Sequence, residues 1–232
     1  MGIVRMGPPE NLIQELKNHL KLNYFVETGT YLGGTAVWAS KIFQFVFTIE
    51  FSPELFHKAK EKFADVQNVK CLFGDSREQL KEIIDTLDQP ALFWLDAHWS
   101  GGVTYGDEDQ CPLLEELEIL NNSEYNHFIL IDDARLFLSP PQPPHQVDHW
   151  PNICNIVDVL RKKYSDKYIV IIEDVIIAVP LEAKDIVIQY CQETNAKSWH
   201  EYGRSKLIKG IELIGVWGKQ KLKSALQKIL KP

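Results

Sequence analysis

The 232-residue chain lacks any apolar run approaching the roughly 18 residues of a membrane span. Its first twenty residues, with Pro8, Pro9, Glu10 and Glu15 among them, lack the basic start and apolar stretch of a signal peptide. A cytoplasmic location without a membrane partner is therefore expected. Cysteine is scarce: Cys71, Cys111, Cys154 and Cys191 lie far apart and form no CxxC pair, which excludes a zinc knuckle and a disulfide framework and fits a reducing compartment. Basic charge is also short, with 25 Lys and Arg against 32 Asp and Glu and a net charge of −7, which argues against a nucleic-acid partner. The one strongly basic stretch, Lys219 to Lys231, reads as a solvated amphipathic helix with Leu222, Leu226, Ile229 and Leu230 on one side. Repeats and low-complexity segments are missing as well.

What is present is 45% hydrophobic and 25% charged residues, in a length that suits one large α/β domain. We assign residues 1–232 to a single domain with a core over about 20–180 and a C-terminal extension, 181–232, left as a candidate homo-oligomer interface. Apolar runs at 23–27, 44–50, 68–74, 91–96 and 127–132 read as strands. Helical patterns at 9–21, 34–42, 53–64, 76–86, 111–121 and 152–165 alternate with them, several opened by Ser, Asp, Asn or Pro. This alternation is the mark of a parallel sheet covered by helices on both faces. The segment YIVIIEDVIIAVP, 168–180, holds two β-rich runs around Glu173 and Asp174 and predicts a hairpin with an antiparallel strand near one sheet edge. A further helix is expected at 182–194. Two long connections, 97–110 and 134–151, leave the carboxyl ends of strands, where open α/β sheets bind ligands. The second carries five prolines and predicts a stiff excursion without a helix.

The first strand runs into Glu27-Thr28-Gly29-Thr30-Tyr31-Leu32-Gly33-Gly34, where glycines let the backbone turn sharply before a helix. The spacing is GxxxGG and not the GxGxxG of dinucleotide folds. Glu50 ends the second strand about twenty residues on, placed to accept from two ribose hydroxyls. Gly74-Asp75-Ser76 follows the third strand, with Asp75 either an acceptor for an adenine amino group or a helix N-cap. In their order and spacing these features resemble the class I S-adenosylmethionine-dependent methyltransferases over most of residues 20–180. The resemblance implies a Rossmann-like, doubly wound seven-stranded sheet of order 3-2-1-4-5-7-6 with strand seven antiparallel, and methionine-side contacts near Glu27 and Gly29. Glu27 could accept from the cofactor's ammonium group while Glu50 holds the ribose.

Strand four delivers Asp96-Ala97-His98-Trp99 and strand five delivers Asp132-Asp133-Ala134-Arg135. Three carboxylates at adjacent strand ends repel one another unless a cation or proton intervenes, and hard oxygen donors suit Mg²⁺ or Mn²⁺. The other reading has Asp96 or Asp132 capping a helix or pairing with Arg135. The trio resembles the metal-dependent O-methyltransferases of the macrocin and aminocoumarin sugar type, which implies Asp96, Asp132 and Asp133 as metal ligands. This chain departs from that pattern at His98, where those enzymes carry a second aspartate as general base. His98 is read as the base, with a metal-ligand or structural role as alternatives. The candidate cofactor-binding set is Glu27, Thr28, Gly29, Thr30, Gly33, Gly34, Glu50, Asp75, Ser76 and Asp96. The acceptor is expected to be a small molecule with a hydroxyl, such as a sugar or vicinal diol, with Trp99, Tyr105, His145, His149 and Trp150 as candidate wall residues. The acidic run Asp107-Glu108-Asp109 reads as a solvated loop face, and Cys111 has no activating partner.

A nicotinamide-dependent oxidoreductase and a non-catalytic nucleotide-binding protein on the same fold are the alternatives, weakened by the missing GxGxxG and by the intact carboxylates at the strand ends. The Asn/Asp-Pro-Pro-Tyr/Phe motif of base-amino methyltransferases is absent after strand four. An iron facial triad would need a second histidine, and the sequence does not place His127, His145, His149 or His200.

Overall fold

A computed structural model describes residues 7–99 and 108–203. Tyr105, Asp107, the apolar run 211–217 and the basic tail 219–231 lie outside the described residues. By contacts the chain divides into two compact units, 1–186 and 187–232.

The first unit is a seven-stranded sheet flanked by helices. Along the chain run α1 (Glu10–Leu20), β1 (Tyr24–Thr28), α2 (Gly34–Ala39), β2 (Phe45–Glu50), α3 (Pro53–Lys62), β3 (Val69–Phe73), α4 (Ser76–Ile84) and β4 (Leu92–Leu95). They are followed by α5 (Leu113–Asn122), β5 (Phe128–Ile131), α6 (Arg135–Leu138), α7 (Ile153–Arg161), β6 (Tyr168–Ile172) and β7 (Val175–Val179). The sheet order is β3-β2-β1-β4-β5-β7-β6, and β7 runs antiparallel to both neighbours, as the resemblance implied.

The central strands explain why the apolar runs are continuous. β1, β4, β5 and β7 are buried at every position, whereas β3 and β6 at the two edges are only half-buried. A strand covered on both faces has no solvent side, so alternation disappears from its sequence. The hairpin turns at Glu173 and Asp174, both in the left-handed region at φ 49° and 69°. Paired positive φ values match the twist of a two-residue hairpin.

Helix ends follow the capping chemistry. Asp75 caps α4 by accepting from Arg77 N at 2.8 Å, and Asn152 and Asn155 form a reciprocal capping box at α7. The expected helix-free excursion at 134–151 is corrected at two points. Residues Arg135–Leu138, ahead of the first proline, form the one-turn α6, and Val147–His149 form a 3-10 turn. The second unit begins inside a helix described over 184–203, longer than the predicted 182–194. No helix among the described residues is long and apolar enough to cross a membrane.

Candidate functional site

The carboxyl ends of β1, β2, β4 and β5 carry the candidate site. The turn after β1 is held against β2 by Gly29 N and Thr30 N, both donating to Ile49 O at 3.0 Å. Gly29, Tyr31 and Gly33 have positive φ. Beneath the turn, Thr30 Oγ1 and Thr48 Oγ1 are 2.6 Å apart, and Thr48 Oγ1 donates to Glu27 Oε2 at 2.7 Å. When Glu27 is ionised, Thr48 spends its single proton on that carboxylate and Thr30 is the donor to Thr48, so the hydroxyl chain points at Glu27. Glu27 is 2% exposed. Its burial pushes the carboxyl up to about 8, and the Thr48 and Thr35 hydroxyls offset only part of that.

Glu50 closes the same turn. Its Oε2 accepts from Tyr31 N and its Oε1 from Ser52 N, each at 2.8 Å. Burial raises the carboxyl despite these bonds. The Phe51 amide hydrogen-bonds the same carboxylate, so three backbone amides use three of its about four acceptor sites and leave room for a ligand hydroxyl. Asp75 lies at the neighbouring strand end, but its side chain is shared between the α4 cap and the Arg77 guanidinium, whose Nη2 approaches Asp75 Oδ2 at 2.6 Å. The same guanidinium reaches Asp109 Oδ2 at 2.7 Å, tying the end of the long connection after β4 to α4. Asp109 is thus part of an ion-paired network.

At β4 and β5 the structure brings Asp96, His98, Asp132 and Asp133 together. His98 is 8% exposed, with Nε2 2.8 Å from Asp133 Oδ2 and Nδ1 3.6 Å from Asp96 Oδ1. Burial alone would lower the imidazole, yet the Asp133 bond and the surrounding carboxylates raise it. Burial likewise pushes Asp133 up, but His98 and Arg135 outweigh it and hold the carboxyl down. Asp132 is pushed up to about 6 by burial and by Asp133. Asp96, although 34% exposed at its side chain, is surrounded by enough protein and negative charge to lie well above the usual carboxylate range. Asp133 itself has φ 55°, a strained value for a side chain of this size.

Arg135 pairs with neither Asp96 nor Asp132, the alternative the sequence leaves open; it binds Asp133 Oδ1 at 2.5 Å and Asp174 in the β6–β7 turn. Asp174 also accepts from Arg135 N at 2.8 Å. No group of three His, Cys, Asp or Glu side chains among the described residues is arranged to hold a metal ion.

The two long connections meet over His98. Trp150 packs edge-on against His98 at 5.5 Å and against His145 at 5.0 Å, and His145 meets Trp99 at 5.4 Å. Gln110 joins the connections: its Oε1 accepts from Gln146 N at 2.9 Å and Trp150 Nε1 at 3.0 Å, while its carbonyl accepts from Trp99 N at 2.8 Å. We predict that Gln110→Ala, which leaves the indole N–H of a buried Trp unpaired, lowers stability by about 1–3 kcal/mol in urea unfolding. An unchanged midpoint would show that Gln110 holds nothing.

His127 is excluded from the site. It precedes β5 at the opposite end of the sheet, where Nδ1 accepts from Ala91 N and Nε2 contacts Ser123 Oγ at 2.7 Å. Burial holds it down at about 3, so it stays neutral. The residues that sequence reasoning missed here are Arg77, Gln110 and Asp174.

No family model matches the chain, and no curated protein does. Among solved structures it is similar to one from Staphylococcus aureus provisionally described as a caffeoyl-CoA O-methyltransferase: TM-score 0.53, 15% identity, covering 76% of this chain and 85% of that one. A second, from Klebsiella pneumoniae and provisionally described as an O-methyltransferase, gives a TM-score of 0.50 at 14% identity, covering 75% of this chain and 81% of that one. At these identities the likeness establishes the fold: this chain has the Rossmann-like fold of those two structures.

Proposed function

We propose that this protein is an S-adenosylmethionine-dependent methyltransferase that methylates a hydroxyl of a small molecule, with a sugar or other vicinal diol as the favoured acceptor. The observation that carries the reading is the division of the sheet edge. Buried Glu27 and Glu50 flank the glycine turn at β1 and β2, and the His98–Asp133 pair lies beside them at β4 and β5. The first half suits a cationic nucleoside, and the second suits proton removal. A nicotinamide fold is not favoured, because the turn lacks the close-approach glycine of GxGxxG.

S-adenosylmethionine would supply an electrophilic methyl, to which the acceptor oxygen bonds as the electron pair of the S–C bond returns to sulfur. Glu27 would accept from the ammonium group and Glu50 from the ribose hydroxyls. Asp133 would accept a hydrogen bond from Nε2–H of neutral His98, which leaves Nδ1 to receive the acceptor's hydroxyl proton, and the imidazolium so formed would be stabilised between Asp133 and Asp96. By chemistry Asp96, Asp132 and Asp133 are hard oxygen donors suited to a divalent cation, although as arranged both Asp133 oxygens are engaged, by His98 and Arg135, so binding one would require these side chains to rearrange. Those three residues would hold Mg²⁺ or Mn²⁺, which would orient and acidify the acceptor hydroxyl.

Glu27 gives the reading a thermodynamic signature. Its folded value of about 8 lies above the unfolded one, so the folded protein binds more protons, and stability is lost as pH rises from about 4.5 through 8. Binding an ammonium group requires the ionised form. At pH 7 ligand binding should therefore release a proton, and affinity should rise up to about tenfold per pH unit toward pH 8. Glu27→Gln should bind at least about tenfold more weakly, lose this proton release, and melt no lower than wild type. Calorimetry in buffers of different ionisation enthalpy reads the release, and a binding heat independent of buffer would remove Glu27 from the ammonium site.

Transfer of a labelled methyl group to a panel of sugars, catechols and other diols, with Mg²⁺ or with chelator, tests the activity. Product that depends on Mg²⁺ supports the whole reading, and product unaffected by chelator removes only the metal. Labelled methyl that reaches no hydroxyl acceptor contradicts the O-methylation.

A further inference from the structure

Two turns beside the His98 site are joined by one guanidinium. Asp133, in the turn after β5, and Asp174, in the β6–β7 turn, have φ of 55° and 69°, in the left-handed region that favours glycine. Arg135 Nη1 donates to Asp133 Oδ1 at 2.5 Å and also to Asp174 Oδ2. The backbone adds two links, Ala134 N to Asp174 O and Arg135 N to Asp174 Oδ1, each at 2.8 Å. An exposed ion pair contributes little, but this one is anchored, because the Asp174 side chain is only 6% exposed. The Asp133 carboxylate is therefore held at both oxygens. Oδ1 belongs to Arg135 and Oδ2 to His98, so the group cannot turn away from the imidazole without breaking the Arg135 contact. Asp133 N donates to Asp132 Oδ1 at 2.8 Å, which ties down the backbone as well. This matters because His98 lies between two carboxylates, Asp133 at 2.8 Å from Nε2 and Asp96 at 3.6 Å from Nδ1. A neutral imidazole has one N–H, and the carboxylate that takes it decides which ring nitrogen is left to accept a proton.

We propose that Arg135 and Asp174 are positioning residues: anchored by the β6–β7 turn, the guanidinium holds Asp133 so that neutral His98 carries its proton on Nε2 and keeps Nδ1 open for the acceptor's hydroxyl proton. This rests on the methyl-transfer reading above. Without the guanidinium, the Asp133 carboxylate is free to turn toward solvent, and the N–H of His98 passes to the Asp96 side through the other tautomer. Both carboxylates meet the same nitrogen, Nη1. A lysine ammonium at that point can bridge them in the same way, whereas a glutamine amide lacks the charge.

The test is NMR of the ring nitrogens in the full chain with isotope-labelled histidine, with chelator present and at a pH where His98 is neutral; His98→Ala assigns the signal. Wild type should show Nε2 protonated and Nδ1 bare. Arg135→Gln should shift the balance toward the Nδ1–H tautomer by about tenfold, and Arg135→Lys should restore most of the wild-type balance. Asp174→Asn, whose side chain tolerates the positive φ of the turn, should shift the balance the same way but less. With an acceptor, Arg135→Gln should lower kcat about three- to tenfold and leave KM and S-adenosylhomocysteine affinity unchanged. A bridge that only held the two turns together would move the melting temperature and neither the tautomer nor kcat. Thermal melts establish that each variant is folded, and the contrast between Arg135→Lys and Arg135→Gln carries the test if Asp174→Asn is not. The wild-type tautomer kept in folded Arg135→Gln overturns this inference alone. A bare Nε2 in wild type overturns it together with the proton path through Nδ1. Wild type that transfers no methyl to any hydroxyl acceptor overturns the methyl-transfer reading and this inference with it.

Discussion

His98→Ala should lower kcat by about 10²–10⁴-fold while leaving S-adenosylmethionine affinity unchanged. The expectation follows from position. His98 is fixed by Asp133 at Nε2 and presents Nδ1 toward Asp96, on the β4–β5 side of the edge, and it makes no hydrogen bond to the glycine turn. Removing the imidazole takes away the proton acceptor without touching the turn that would hold the nucleoside. Asp133→Asn should lower turnover in the same direction, because an amide can offer His98 its N–H and fix the wrong tautomer. Steady-state kinetics with an acceptor in hand separates these effects. A variant that loses affinity and keeps kcat would assign His98 to binding.

Gly29→Ala should destabilise the fold by about 3–5 kcal/mol and abolish cofactor binding. Gly29 has φ +85°, and a Cβ there would lie 2.3 Å from the Asp96 carbonyl oxygen and 2.9 Å from its carbon. Both obstacles are backbone. That backbone cannot retreat cheaply, since Asp96 N donates to Thr28 O at 3.1 Å and approaches Thr28 Oγ1 at 3.2 Å. The smallest residue is therefore required where β1 meets β4, independently of any ligand. Gly34 is the control: nothing lies within 4 Å of a Cβ there, so Gly34→Ala should unfold at the wild-type urea concentration. Equal stability of Gly29→Ala and wild type would mean that the close approach of the two strand ends is not maintained in solution.

The sheet was legible because its signal is local. Runs such as Phe25-Val26 and Leu92-Phe93-Trp94-Leu95 are apolar without alternation, and each ends on polar residues where the strand leaves the core. That pattern also placed Glu27, Glu50, Asp96, Asp132 and Asp133 at one edge. The partners were not legible, because they are chosen across the fold. Arg77 finds Asp109, Gln110 finds Trp150, and Arg135 finds Asp174, each more than thirty residues away. Nothing in the local sequence separates Asp75 as a nucleoside acceptor from Asp75 as a cap. Once Arg77 is seen to hold the carboxylate, capping is its evident role. Glu116, buried on α5, did leave a trace: at 113, 116, 117 and 120 it occupies one position of an otherwise leucine stripe. An acid on a core stripe is a signal that sequence reading can use. The short α6 was lost to the weight given to the five prolines that follow it.

Calorimetric titration of the metal-stripped chain with S-adenosylmethionine and S-adenosylhomocysteine, each with and without Mg²⁺ and with NAD as control, tests the central claim most directly. The account predicts micromolar binding of both sulfur nucleosides and none of NAD. Folded protein that ignores both sulfur nucleosides, or that binds NAD in their place, would contradict it.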